Sequence, residues 1–106
     1  MGKYLLQVNY TADGVQGVLK AGGTARQKAA AHLVESVGGT MEAMYFAFGS
    51  TDVYCIVDVP TPEAAAAAAL TVSGSGAATV TTTVLLTPDQ IDAASDLRTD
   101  YAPPGS

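Results

Sequence analysis

Residues 3–10, KYLLQVNY, set Tyr4, Leu6, Val8 and Tyr10 on one side and Lys3, Leu5, Gln7 and Asn9 on the other. That two-residue period is the signature of a strand. The stretch Asp13 to Lys20 can form a short helix, after which Gly22-Gly23 interrupts. A second helix is predicted over about 25–37, because Ala29, Ala30, Leu33, Val34 and Val37 recur at helical spacing. Thr24 and Gln27 read as its capping box, and Gly38-Gly39 as its left-handed stop.

Residues 40–48 and 52–59 are extended segments separated by Gly49-Ser50-Thr51, and together they predict a hairpin. Thr61-Pro62-Glu63 opens a helix that the six alanines Ala64 to Ala69 carry to Leu70. Residues 78–87 return to strand composition, and Thr87-Pro88-Asp89-Gln90 begins a short last helix. The order β, α, β, β, α, β with a terminal helix is the ferredoxin-like α+β pattern, a four-stranded antiparallel sheet with its helices on one face. A single domain is expected over 1–97, followed by a flexible tail, 98–106.

Strand alternation allows each face of that sheet to be assigned in advance. A two-residue turn within Gly49-Ser50-Thr51 places Met44, Phe46 and Phe48 with Val53, Cys55 and Val57 toward the helices. The other face then carries Met41, Ala43, Tyr45, Ala47, Asp52, Tyr54, Ile56 and Asp58, with Leu5, Gln7 and Asn9 and with Thr81, Thr83 and Leu85. This mixed face suits a second subunit, a ligand, or both.

Composition narrows the partners. Only 14% of the residues are charged while 48% are hydrophobic, so part of the surface is expected to be covered by another copy. The formal charge of −5, with five scattered cations, disfavours nucleic acid and anionic membranes. No apolar stretch reaches the roughly 20 residues of a membrane span, and the first residues lead straight into an alternating pattern, so no export is expected. With Cys55 as the only cysteine, no internal disulfide can form, which fits a cytoplasmic location.

The residues Tyr10-Thr11 with Gly14, then Arg26, Gly38-Gly39, Phe48-Gly49-Ser50-Thr51-Asp52-Val53 and Pro60 resemble the GYD domain family over about residues 3–94. Thr51 stands where that family's signature carries tyrosine. The resemblance implies kinship with dimeric α/β barrel proteins, in which two ferredoxin-like sheets face one another, and it brings no assigned reaction.

The candidate ligand-binding set is Gln7, Asn9, Arg26, Tyr45, Asp52 and Tyr54. Asp52 can hold the hairpin through backbone N–H groups or face a ligand. Arg26 starts its helix on the apolar stripe, where it can pair with Asp52 or Asp58 or reach an anion. Tyr45 and Tyr54 are cross-strand neighbours able to stack or to offer hydroxyls. His32 points away from the apolar stripe of its helix and has no companions at metal-ligand spacing, so neither metal nor cofactor is expected. Cys55 reads as an inert core thiol.

No nucleophile triad, phosphate loop or dinucleotide fingerprint is present. The expected function is therefore a homo-oligomeric module that binds a small apolar or aromatic molecule or presents an interaction surface. The alternative is a cofactor-independent oxygenase or isomerase of the dimeric α/β barrel type.

Overall fold

The computed structural model describes residues 2–105. Its elements are β1 (Gly2–Tyr10), α1 (Ala12–Ala21), α2 (Gly23–Ser36), β2 (Thr40–Phe46), β3 (Val53–Val59), α3 (Pro62–Gly74), β4 (Ala78–Leu85) and α4 (Pro88–Ser95). The four strands form one antiparallel sheet in the order β2-β3-β1-β4. This α+β topology is that of the ferredoxin-like pattern read from the sequence.

The helix boundaries follow local chemistry. The Thr11 hydroxyl accepts from the Gly14 N–H at 3.3 Å and caps α1. A single residue, Gly22, separates α1 from α2, and its φ of +86° turns the chain directly into the second helix. The expected Thr24 cap is therefore not formed, because α2 already begins at Gly23 with no side-chain cap.

At the other end of α2 the Gly38 N–H donates to Glu35 O and the Gly39 N–H to Val34 O, each at 3.0 Å. This is a complete Schellman stop. Thr61 caps α3, and Thr87 with Gln90 forms a reciprocal capping box on α4.

The core lies between one face of the sheet and helices α2 and α3. Tyr4 and Leu6 of β1, Val53, Cys55, Val57 and Val59 of β3, Val34 of α2 and Ala65 of α3 form its buried cluster. The largest side chains that are completely buried are three valines, Val53, Val57 and Val59. Both phenylalanines are exposed, Phe48 entirely so.

Two expectations about the hairpin need correction. The strands end at Phe46 and Val53, so the connection spans 47–52 and Phe48 belongs to that loop rather than to the core face. A bulge between Met41 and Ala43 also shifts the register. Met41 then pairs with Val57 and packs on the core, while Ala43 pairs with Ile56 on the opposite face. Ala47 and Asp52, expected on the open face, likewise fall in the connection; the other strand residues keep their assigned faces, including Met44 opposite Cys55 and Tyr45 opposite Tyr54.

Past Leu85 the chain stands clear of this body. No other element packs substantially against α4, and all its residues are exposed. The radius of gyration is 16.9 Å and the longest extent 58 Å, against about 13 Å for the radius of a compact chain of this length. Residues 98–105 form no helix or strand.

Candidate functional site

Five of the six candidate residues gather on or beside the face of the sheet turned away from the helices. Tyr45 pairs with Tyr54, Tyr54 with Gln7, and Gln7 with Thr81, so one row crosses all four strands. Asn9 lies two positions along β1 on the same side. Tyr45 keeps 71% of its surface exposed and Tyr54 37%. Leu5 and Ile56, directly paired, continue the face in the next row on that side.

Asp52 has a structural assignment. Its carboxylate accepts the Tyr10 N–H at 2.9 Å, and its own N–H is shared between Val8 O at 3.0 Å and Asn9 Oδ1 at 3.1 Å. These bonds tie the hairpin loop to the end of β1, so Asp52 and Asn9 hold the sheet together at this corner. Thr51, at the position of the family tyrosine, is buried, and its hydroxyl lies 3.5 Å from the Gln7 amide nitrogen.

At the opposite end of the face Lys3 bridges Glu42 and Asp58, the latter at 3.2 Å. Hydrogen bonds to Glu42 and then to Asp58 hold the Lys3 ammonium pKa above its ordinary value.

Arg26 is separated from this group. It sits on α2, on the helix side of the sheet, where it lines a cleft between α2 and α3. The suggested partners are engaged elsewhere, Asp52 by Tyr10 and Asp58 by Lys3. No carboxylate pairs with Arg26 among the described residues.

The cleft was not anticipated from the sequence. It is open to solvent, holds about 250 Å³ over Val8, Val53 and Cys55, and adjoins an apolar recess of about 60 Å³ reaching Leu6, Met41 and Val57. Helices α2 and α3 do not pack substantially on one another. The faces they turn to the gap carry Ala29, Ala30, Ala68 and Ala69, whose methyl groups cannot fill it. A sequence signal existed: both helices present alanine where a closed core needs larger side chains.

Cys55 lies on the floor of both spaces. Burial pushes its thiol pKa up from 9.0 to about 11. It is thus a neutral thiol at physiological pH rather than a nucleophile. A charged alkylating reagent at pH 8 should label native Cys55 at least about a hundredfold more slowly than the unfolded chain, because two pKa units remove that share of thiolate. Equal native and denatured rates would show that the thiol is neither shielded nor suppressed.

His32 is exposed, and the described residues contain no cluster of three or more His, Cys, Asp or Glu side chains placed to hold a metal ion. Among them, no helix is long and apolar enough to cross a membrane. The family model of the GYD domain matches residues 4–95. No curated protein and no solved structure matches the chain.

Proposed function

The chain belongs to the GYD domain family, and from that premise we propose that it is a self-associating, small-molecule-binding module whose second copy covers the open sheet face. The observation that carries this reading is the uncovered row Tyr45, Tyr54, Gln7 and Thr81, which crosses a whole sheet without a charged side chain. Solvated sheet faces are ordinarily studded with Lys and Glu throughout, whereas here the charges Lys3, Glu42 and Asp58 gather at one end and leave an aromatic, uncharged row of the kind found in contact surfaces.

Geometry supports a contribution from the C-terminal arm. Four strands spaced about 4.8 Å apart and roughly 25 Å long present a face of about 500 Å² in projection. A stable interface takes about 800 Å² per partner. The arm exposes Leu86, Ile91, Leu97 and Tyr101 and stands free of its own body. Laid on the second copy, these side chains enlarge the contact and lose their own exposure to water.

Two sheets facing one another in this way make the assembly a dimeric α/β barrel. A reducing cytoplasm suits its unpaired Cys55. Ligand space is provided separately, by the cleft on the helix side of each sheet. The oxygenase or isomerase alternative gains no support from Asp52, whose carboxylate is accounted for by its bond from the Tyr10 N–H at the hairpin corner.

Sedimentation at micromolar concentration should return at least twice the chain mass of 10.7 kDa. A single species at the chain mass would overturn the assembly.

A further inference from the structure

The cleft between α2 and α3 has a chemistry of its own. We propose that it binds a monocarboxylate with an apolar body, the carboxylate on the Arg26 guanidinium and the hydrocarbon along Val8, Leu33 and Val72. The inference rests on the small-molecule part of the reading above and not on self-association, because the cleft lies across the sheet from the open face.

Space comes first. Protein interiors hold few voids larger than a water molecule, and a dry apolar cavity of about 150 Å³ already admits benzene. Here about 250 Å³ stands open beside a further 60 Å³. Val8, Ala30, Leu33, Cys55 and Val72 line both, so the two adjoin.

Polarity then selects the ligand's body. The inner recess is bounded by aliphatic side chains and the neutral Cys55 thiol, which give water almost no hydrogen bonds. Hydrocarbon loses nothing there, while a polar body would forfeit its solvation.

Charge selects the head. Arg26 is the one cationic side chain lining the cleft, and no acid of the described residues pairs with it. Its planar fork matches a carboxylate in two parallel hydrogen bonds. Other polar groups at that end are largely committed: the Thr71 hydroxyl donates to Ala67 O at 2.7 Å and that of Ser75 to Val72 O at 2.6 Å. Arg26 remains to face a ligand. Of the chain's five cations, Arg26 alone borders this apolar space, and a cation there favours an anionic head.

The test titrates octanoate into the whole chain, following backbone amides by NMR, with octan-1-ol and octylammonium as probes of equal length. Octanoate should shift Val8, Leu33 and Val72 saturably and bind about tenfold or more tightly than either comparator. Arg26→Gln should erase that preference while retaining octanol binding, and Val72→Phe, which fills the gap, should abolish both. Folding of each variant is checked by its amide spectrum.

Equal affinity for octanol or octylammonium, or unchanged selectivity in Arg26→Gln, would overturn the carboxylate inference and leave a small-molecule site standing. Shifts confined to Tyr54 and Thr81 would overturn the placement. Binding of none of the probes would overturn the inference together with the small-molecule reading, and sedimentation of the same samples reports separately on the assembly.

Discussion

Gly14→Ala should lower the stability of the domain by about 3 kcal/mol, and Gly17→Ala, three residues along the same helix, should raise it by about 1 kcal/mol. A Cβ on Gly14 would lie 2.0 Å from the backbone oxygen of Ala77 and 2.9 Å from the Tyr10 ring. Backbone cannot move aside as a side chain can, so α1 must lift away from the start of β4. Lifting it strains two bonds, Thr11 N–H to Ala77 O at 2.9 Å and the Thr11 hydroxyl to Gly76 O at 2.8 Å. Each contributes about 1 kcal/mol, and the overpacking adds one to three more. At Gly17 a Cβ meets nothing within 4 Å. There alanine simply removes glycine's excess freedom in the unfolded chain. Thermal unfolding followed by circular dichroism should show a fall of roughly 12–24 °C for the first variant and a rise of about 4–8 °C for the second. A rise for both variants would mean that helix propensity, and not the contact with Ala77, governs both positions.

That contrast also shows where sequence reading runs out. Period-two alternation separated Tyr4, Leu6 and Val8 from Leu5, Gln7 and Asn9 because each strand carries its own record of faces. The capping box of α4 and the Schellman stop of α2 are equally legible, since their partners lie within a few residues. Gly14 belongs to the residues that carry the family resemblance, but the reason for a glycine there is not legible locally, because Ala77 lies 63 positions away in the chain. The bulge at Met41–Ala43 escaped for a related cause: an inserted residue leaves both flanking patterns intact and only changes how they join. Phe48 was assigned inward by continuing the alternation past Phe46, where the ladder has already ended.

The candidate site was legible in the same uneven way. Tyr45, Tyr54 and Gln7 fall in one row because register follows from the strands themselves. Arg26 was placed on the apolar stripe of its helix, which is correct, yet its expected acidic partners lie outside the cleft. The cleft is a property of two helices and a sheet taken together. No single segment records that Ala30 on α2 and Ala68 on α3 border the same gap and leave it unfilled. The distribution of large side chains does hint at it, since the fully buried residues stop at valine while Phe46, Phe48 and Tyr45 remain outside.

Tyr54→Arg should raise the dissociation constant of the self-association by about a hundredfold or more while changing the stability of the single chain by about 1 kcal/mol or less. In the single chain Tyr54 is 37% exposed, so a long side chain there can reach water, and the main loss is its cross-strand contact with Tyr45. Within a face-to-face assembly the same position lies near the centre of the contact, on the strand between β1 and β2. A guanidinium buried there without a partner costs about 3 kcal/mol or more, and 2.7 kcal/mol is already a hundredfold in affinity. The sign excludes a trivial explanation. Each copy carries a net charge of −5, so an added cation weakens the long-range repulsion between copies and would by itself favour association. Gln16→Arg, on an exposed position of α1, makes the same change of charge and should leave the assembly intact or slightly tighter. Sedimentation across a concentration series measures both variants, and denaturant midpoints well below the dissociation constant report on the single chain. If Tyr54→Arg assembled as tightly as the parent chain, the second copy would have to sit elsewhere than on the open sheet face.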